Sequence, residues 1–404
     1  MRRGASWCYL LAATMLAFAI DTRDAKAGCA PAATAGVDII VCDASIAPDP
    51  AGAFNFLGGN DKVTVNSGTY GSFTFPSGSS TLIFGLGGSG PLINGTVLFT
   101  AGTSVIEVHS GTITGAVTQS PGIDTFTMTG GKIGSLSQGD GRDTFFISGG
   151  TIVGAFEDGD IAKMIGGTIG RVDMKLADNI FEMSGGIIQG NLVTGFGNDT
   201  ITITGGVIGG NISVSGGTDK VTITGGQIGG EVRMSTGNDI FTWDGGGTIA
   251  GAILLEGDND TAILRNLTAA NLIMPRLDGG PGSDALTFDK VVTAGIARFV
   301  NWETIHVTNG SQLTFDGNLV MGDAGTATGS ISIDATSTIF AGGGKNPSIL
   351  PFTAGQLVTV TNAGLIDLTN GGSGPTDSAT TSAAVADWRS RASSAATIRH
   401  PTSS

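Results

Sequence analysis

The stretch GNDTITITGGVIGGNISVSGGTDKVTITGGQIGG, residues 197–230, contains one sequence unit followed by most of its next copy. The unit begins with a glycine-rich turn that ends in Asp or Asn. It continues with alternating apolar residues, then Gly-Gly, a variable residue, Ile or Val, and a further Gly. It recurs from about residue 122 to residue 290, at spacings of 19, 17, 19, 20, 20, 20, 21 and 24 residues. The turn position is held by Asp124, Asp143, Asp160, Asn179, Asp199, Asp219, Asp239, Asp260 and Asp284.

Within each unit the apolar residues alternate with polar ones. Ile201 and Ile203 flank Thr202, which is the pattern of a strand with one buried face and one solvated face. The Gly-Gly pair that follows permits positive φ and therefore a sharp corner. The next apolar position forms a column of one residue type, held by Ile133, Ile152, Ile169, Ile188, Ile208 and Ile228.

A third apolar alternation, Ile212 and Val214 in the quoted stretch, closes the unit. Three short strands and their glycine corners in about 20 residues leave no room for a helix in the repeat. The sequence therefore predicts an all-β fold, a right-handed parallel β-helix with coils of about 20 residues. Each residue then pairs with its counterpart one coil away, and the isoleucines stack inside.

Composition narrows the class of protein further. The chain has 404 residues, of which 68 are Gly, and this glycine content opposes a helical bundle. Hydrophobic residues make up 40% of the chain, which opposes disorder. The glycines follow no three-residue period, which excludes collagen. The net charge of −14 argues against a nucleic-acid partner.

The N-terminal region has the features of an export signal. Two arginines precede an apolar run, and residues 25–27 form an Ala-Lys-Ala cleavage site, so residues 1–27 are predicted to be a signal peptide. Residues 28–55 are predicted to cap the solenoid. They contain Cys29 and Cys42, which we expect to form a disulfide in an oxidising compartment, with two free buried thiols as the alternative.

Three further segments follow the cap. Residues 56–290 carry the regular repeats. Residues 291–370 are β-rich but less regular, and we expect them to form further coils. Residues 371–404 are rich in Ser, Ala and Thr without a β pattern, and the sequence predicts a disordered tail there.

The chain up to about residue 380 resembles the passenger region of bacterial autotransporters, the pertactin-like and adhesin-like exported β-helices. The resemblance is carried by the repeats of the type in residues 197–206, by NWETI at 301–305 and by NAGLIDLTNGG at 362–372. It implies a surface adhesin or host-interaction protein whose partner is a host surface or matrix component, or another bacterial cell.

Members of that family continue into a C-terminal translocator barrel, and this sequence shows no such barrel pattern. We therefore expect a truncated or frame-shifted passenger, or one whose outer-membrane barrel is a separate product. The expected location is the cell surface, or the medium, if a barrel is available, and the periplasm otherwise.

The aspartates of the turns have two interpretations. In the first, each one accepts a backbone N–H bond in its corner and needs no ion. In the second, carboxylates stacked about 4.8 Å apart bind calcium, which would relieve their repulsion, at Asp199, Asp219, Asp239 and Asp260. The second interpretation makes the chain a calcium-stabilised structural solenoid.

A third possibility is a polysaccharide-active enzyme, because parallel β-helices include such enzymes and closely spaced carboxylates suit glycoside hydrolysis. A uniform row of carboxylates marks no unique cleft, and Lys62, Lys220 and Arg233 are scattered rather than clustered. We therefore expect no catalytic residue and no cofactor apart from calcium. An unusual loop or cleft that breaks the row would favour the enzyme.

Overall fold

The computed structural model describes residues 28–46, 52–88, 90–325, 328–368 and 394–399. They form a parallel β-solenoid with coils of about 20 residues, which confirms the predicted fold class. The one helical element among them is a single 3₁₀ turn, Ile296–Arg298. No helix in these ranges is long and apolar enough to cross a membrane.

Each coil contributes a strand to an eighteen-stranded sheet, named sheet 1. Its strands run parallel, except for the first and the last, which pair antiparallel with their neighbours. At a spacing of about 4.8 Å per strand, sheet 1 is about 80 Å long. In order along the solenoid its strands are Gly28–Ala30, Ile39–Asp43, Lys62–Val65, Ser80–Phe84, Ser104–Val108, Thr125–Met128, Thr144–Ile147, Ile161–Met164, Ile180–Met183, Thr200–Ile203, Lys220–Ile223, Ile240–Asp244, Thr261–Arg265, Ala285–Asp289, Thr304–Thr308, Thr328–Ile333, Leu357–Asn362 and Ser394–Arg399.

Sheet 2 follows the glycine corner of each coil. Four strands continue from sheet 2 into sheet 3, and the three pairings between them each shift register at the bend. These four are Thr112–Thr118, Lys132–Ser137, Thr151–Glu157 and Thr168–Asp173. The other strands of sheet 2 are Thr69–Tyr70, Leu92–Ile93, Ile187–Ile188, Val207–Ile208, Gln227–Ile228 and Thr248–Ile249, and the four that take this place in later coils are Val292–Ala294, Gln312–Phe315, Thr338–Ala341 and Leu365–Asp367.

Sheet 3 closes each coil and corresponds to the third apolar alternation of the repeat. Its remaining strands are Phe54–Asn55, Phe73–Phe75, Val97–Phe99, Leu192–Gly195, Ile212–Val214, Val232–Arg233, Ile253–Leu254, Leu277–Asp278 and Phe299–Val300. In later coils its place is taken by the pair Leu319–Met321 and Ile349–Pro351. The three sheets enclose one continuous apolar core.

Register places like residues above one another. Ile188, Ile208 and Ile228 are direct partners in successive coils, and each is almost fully buried. On sheet 1, Thr202, Thr222 and Thr242 are partners on the outer face. The inward and outward faces predicted from the alternation are therefore confirmed, because a one-residue shift would have exchanged them.

The corner between sheets 1 and 2 depends on the second glycine of the Gly-Gly pair. Gly206 has φ of 89°, which L-residues with a side chain rarely adopt. A Cβ at this position would also lie 2.9 Å from the carbonyl oxygen of Gly186, its counterpart in the preceding coil. The pair therefore provides both the turn and the close stacking of corners.

Both ends of sheet 1 are covered by antiparallel strands. At the first end, Cys29 and Cys42 are register partners, and a disulfide joins them within the predicted cap. At the other end, Ser394–Arg399 pairs with Leu357–Asn362, a pairing that the sequence pattern did not predict. The predicted signal peptide, residues 1–27, and most of the predicted tail, residues 371–393 and 400–404, lie outside the described residues.

Candidate functional site

The repeated aspartates form a row inside the solenoid, at the point where each coil enters sheet 1. We name this row the carboxylate ladder. Its members are Asp124, Asp143, Asp160, Asn179, Asp199, Asp219, Asp239, Asp260 and Asp284. All of them are buried, and Asp199, Asp219, Asp239 and Asp260 are each 1% exposed.

One oxygen of each carboxylate binds the main chain of the preceding coil. The N–H of Asp199 donates to Oδ1 of Asp219 at 2.7 Å, and the N–H of Asp219 donates to Oδ1 of Asp239 at the same distance. The same bond joins Asp239 to Asp260 at 2.8 Å and Asp260 to Asp284 at 2.7 Å. The predicted acceptor role is therefore present, but the donor lies one coil away rather than in the corner, because stacking brings the neighbouring N–H within reach.

The second carboxylate oxygen has no hydrogen-bond partner in most of these coils. It is buried and unpartnered at Asp124, Asp143, Asp199, Asp219, Asp239, Asp260 and Asp284. A buried polar atom without a partner costs free energy, and a buried charge costs more. The ladder is thus a row of buried acids beside a solenoid core that is largely apolar.

Burial raises the pKa of seven ladder carboxyls, those of Asp124, Asp143, Asp199, Asp219, Asp239, Asp260 and Asp284. Repulsion between neighbouring acids adds to the effect in several of these coils. The pKa rises to about 7 at Asp143, Asp219 and Asp284, to about 6 at Asp239 and to about 8 at Asp260. The backbone N–H bond opposes these increases without cancelling them, since it stabilises the charged form. Several ladder members therefore titrate near neutral pH.

The four residues predicted to bind calcium, Asp199, Asp219, Asp239 and Asp260, occupy consecutive coils of the ladder. Calcium takes six to eight oxygen ligands. In the part of the chain that the structure describes, no group of three or more acidic, His or Cys side chains is arranged to hold a metal ion. Calcium binding stays a prediction from the sequence, and the geometry gives these carboxylates the backbone N–H as their partner.

Asn179 occupies one position of the ladder, and its side-chain amide brings a hydrogen-bond donor to that position. Its Nδ2 donates to the main-chain oxygen of Thr194 at 2.8 Å. Its own N–H donates to Oδ1 of Asp199 at 2.8 Å, like the N–H groups of the aspartates. Its own Oδ1 is buried and has no hydrogen-bond partner, so Asn179 shows only that a side-chain donor at the ladder position finds a main-chain acceptor.

A second row of side-chain bonds runs along the exposed side of the same corner, in the opposite direction. The N–H of Asn198 donates to Oδ1 of Asp178 at 2.7 Å, and the N–H of Thr218 donates to Oδ1 of Asn198 at 2.8 Å. Farther along, Oδ1 of Asn238 accepts from Asn259 at 2.9 Å. At the corner of Asn198 and Asp199, for example, the two rows join the corner to the coils on both sides of it.

The regular corner is interrupted at the coil that runs from Asp260 to Asp284. Its 24 residues make it the longest spacing in the row, and Pro275 and Pro281 lie in the added chain. Beside it lies an open cleft of about 440 Å³. The cleft is lined by Leu254, Glu256, Gly257, Arg276, Asp278, Gly280, Pro281 and Asn301.

Charged groups of both signs line the cleft. Arg276 forms an ion pair with Asp278, and Nδ2 of Asn301 donates to Oδ1 of Asp278 at 2.6 Å. Oε1 of Glu256 lies 3.4 Å from Nη1 of Arg233 in the preceding coil. A carboxylate and a guanidinium are therefore presented side by side at one corner of the solenoid.

Two of the acids near the cleft have left-handed backbone conformations. Glu256 has φ of 76° and Asp258 has φ of 82°, at positions that Gly195 and Gly197 fill in one earlier coil and Lys175 and Ala177, also with positive φ, fill in another. Such conformations are strained for residues with a side chain, and this strain recurs along the solenoid. Sequence analysis did not select these residues, although the spacing of 24 and the replacement of glycine by acids were visible.

The fold and the ladder define the chain as a parallel β-solenoid with a buried polar row. No protein-family model, curated protein or solved structure matches it.

Proposed function

We propose that the chain is an exported adhesive rod of the passenger type. It binds a host surface or matrix component, or the surface of another bacterial cell. The observation that carries this proposal is sheet 1, which presents one continuous outer face across eighteen strands. A long surface that repeats the same side chains can make many weak contacts with one partner at the same time. Together such contacts give a high avidity.

The outer face of sheet 1 supports contact with polar partners. Thr202, Thr222 and Thr242 form a column of hydroxyl groups in register. Lys163 and Glu182, exposed and 3.2 Å apart, lie in the same outward column. Hydroxyl groups donate and accept hydrogen bonds, so neutral polar polymers on a cell or in a matrix are suitable ligands.

The proposal places the chain outside the inner membrane. With an outer-membrane translocator barrel, the rod is displayed on the cell surface or released; without one, it stays in the periplasm. Fractionation of producing cells with an antibody to the solenoid distinguishes these locations. Detection in the cytoplasm alone would contradict export.

Adhesion is tested with beads coated with the purified protein and presented to cells and to immobilised matrix proteins. We expect Thr202→Glu combined with Thr242→Glu to reduce bead retention, because the charges interrupt the hydroxyl column two coils apart. Ser213→Glu, on the outer side of sheet 3, is the matched control. Equal retention of the two variants would contradict the role of sheet 1, and no retention of the wild-type protein would contradict adhesion.

A second candidate function is action on anionic polysaccharides, because the cleft is the kind of interruption that favours an enzyme. Glu256 offers a carboxylate that can take or give a proton, and Arg276 offers a guanidinium that can bind a uronate carboxylate. Leu254 and Pro281 provide an apolar floor for the C–H face of a sugar ring.

The release of new chain ends from polygalacturonate and from a neutral glycan, measured as reducing sugar, tests this candidate. We expect cleavage of the anionic polymer only, and loss of at least about 100-fold in Glu256→Gln, as for removal of a general acid or base. Glu231→Gln, a half-buried acid of the preceding coil, is the control. No cleavage by the wild-type protein, or an equal loss in both variants, would contradict it.

A further inference from the structure

We propose that the carboxylate ladder is a row of proton-binding sites, so that the chain takes up several protons when it folds at neutral pH. In the folded solenoid the unpartnered aspartate oxygens carry these protons as O–H groups. This inference is independent of adhesion and of any activity in the cleft.

At seven of the eight ladder aspartates, all except Asp160, the hydrogen bonding matches a carboxylic acid better than a carboxylate. One oxygen accepts the N–H of the preceding coil, as at Asp219 and Asp239, and the other oxygen is buried without a partner. A carboxylate has only acceptor oxygens, whereas the neutral acid has one donor and one acceptor. Protonation also removes the cost of burying a charge, which is large in an apolar interior.

Asn179 indicates where the added O–H group points. Its amide is the neutral analogue of a protonated aspartate, and its Nδ2 donates to the oxygen of Thr194 at 2.8 Å. Thr194 lies five residues before the next ladder residue, Asp199, on the strand Leu192–Gly195 of sheet 3. Met234 lies at the equivalent place before Asp239, and its main-chain oxygen is the acceptor we assign to the O–H group of Asp219.

The charged groups that influence the ladder are acids on every side. Neighbouring ladder members raise one another's pKa along the row, and acids of the corner raise it from outside. The largest contributions to these shifts come from burial, from backbone N–H bonds and from acids. The corner acids are Asp140 beside Asp143, Asp178 beside Asp199 and Asp219, Asp258 beside Asp239 and Asp260, and Asp278, Glu303 and Asp323 beside Asp284.

The direction of the pH effect follows from these shifts. The folded chain holds protons up to pH of about 6 to 8, as at Asp239 and Asp260, whereas an unfolded aspartate releases them near 3.8. Between these limits the folded state binds more protons, so the free energy of unfolding decreases as the pH rises. The stabilisation is fully present below about pH 3.8, decreases above it, and is lost once the pH has risen through about 6 to 8. Asp289 and Asp334, whose pKa is lowered, act in the opposite direction but only at acidic pH.

The experiment measures thermal unfolding of the full chain between pH 5 and pH 8, with and without 1 mM calcium chloride or EDTA. We expect the midpoint to be at least about 5 °C higher at pH 5 than at pH 8. Unfolding by denaturant in weakly buffered solution at pH 6.5 should release on the order of two to four protons per chain. A flat or opposite pH dependence, or no proton release, would overturn the proposal.

Asp219→Asn replaces one ladder aspartate with an amide, which is a neutral analogue of the protonated aspartate at every pH. We expect it to raise the unfolding midpoint at pH 8 and to lose this advantage at pH 5, where the wild-type aspartate is protonated. Glu182→Gln, an exposed acid on the outer face of sheet 1, should show no such difference. Asp143→Asn repeats the test in another coil if Asp219→Asn does not fold. The proposal would be overturned if calcium stabilised the wild-type protein at pH 8 and Asp219→Asn abolished this effect, because the ladder would then bind cations.

Discussion

Ile228 lies in the middle of an inward column of isoleucines that crosses neighbouring coils of sheet 2. Its direct partners are Ile208 and Ile249, and all three side chains are almost fully buried. Each contributes roughly 1.5 to 3 kcal/mol through burial of its apolar surface. The solenoid has no separate core beyond such columns, so single inward residues decide the stability of the coils they join.

We expect Ile228→Asp to lower the free energy of unfolding by several kcal/mol, because it buries a charge that has no partner. Thr222→Asp, on the outer face of sheet 1, should change it by less than about 0.5 kcal/mol, as is usual for surface substitutions. Denaturant unfolding of the two variants provides the comparison. Equal losses would contradict the assignment of inner and outer faces.

At the scale of the element, the corners are more constrained than the strands. A strand position accepts any side chain that suits its face, but a corner must turn the chain and also stack on the corner of the next coil. Gly237 shows both demands: its φ is 130°, and a methyl group there would collide with the carbonyl oxygen of Gly217. The high glycine content therefore reflects close stacking as well as turning.

Gly237→Ala should destabilise the protein by more than about 1 kcal/mol, since the collision is with main chain and the neighbouring corner cannot yield without losing its hydrogen bonds. Gly87→Ala is the matched control, because a Cβ there meets nothing within 4 Å and its φ is not positive. Thermal unfolding of both variants tests the difference. A similar midpoint for the two would show that stacked corners tolerate side chains.

At the scale of the whole molecule, the solenoid is a chain of neighbour contacts. Each strand of sheet 1 pairs only with the strands one coil before and one coil after it. Stability is then close to a sum over coils and their interfaces, and the two end coils are the weakest. The antiparallel strands Gly28–Ala30 and Ser394–Arg399 cover the two edges that would otherwise be open to pairing with another chain.

Removal of the disulfide in a Cys29→Ser, Cys42→Ser double variant should therefore have a local effect. We expect faster amide hydrogen exchange in the first coils, up to about Val65. The reason is that the cross-link stabilises the folded state by about 3 kcal/mol, because it lowers the entropy of the unfolded chain. Strands from Thr200 onward should exchange as in the wild-type protein. Uniformly faster exchange along the whole chain would mean that the solenoid unfolds as one cooperative unit.

The periodic sequence by itself determined the coil length, the three strands of a coil and the face on which each apolar side chain lies. These properties are local, since alternation and glycine pairs repeat within every 20 residues, and Ile208 and Thr222 lie where the pattern predicts. The row of aspartates was equally visible, because it recurs at the same place in each unit.

Only the tertiary structure decided what those aspartates do. The donor to Asp219 is the N–H of Asp199, 20 residues away, and the burial that raises its pKa exists only when both neighbouring coils are in place. The cleft beside Glu256 and Arg276 also depends on two coils of unequal length lying together. A repeat pattern describes one coil, whereas hydrogen-bond partners, burial and cavities arise between coils, and for this reason they could not be obtained from the period alone.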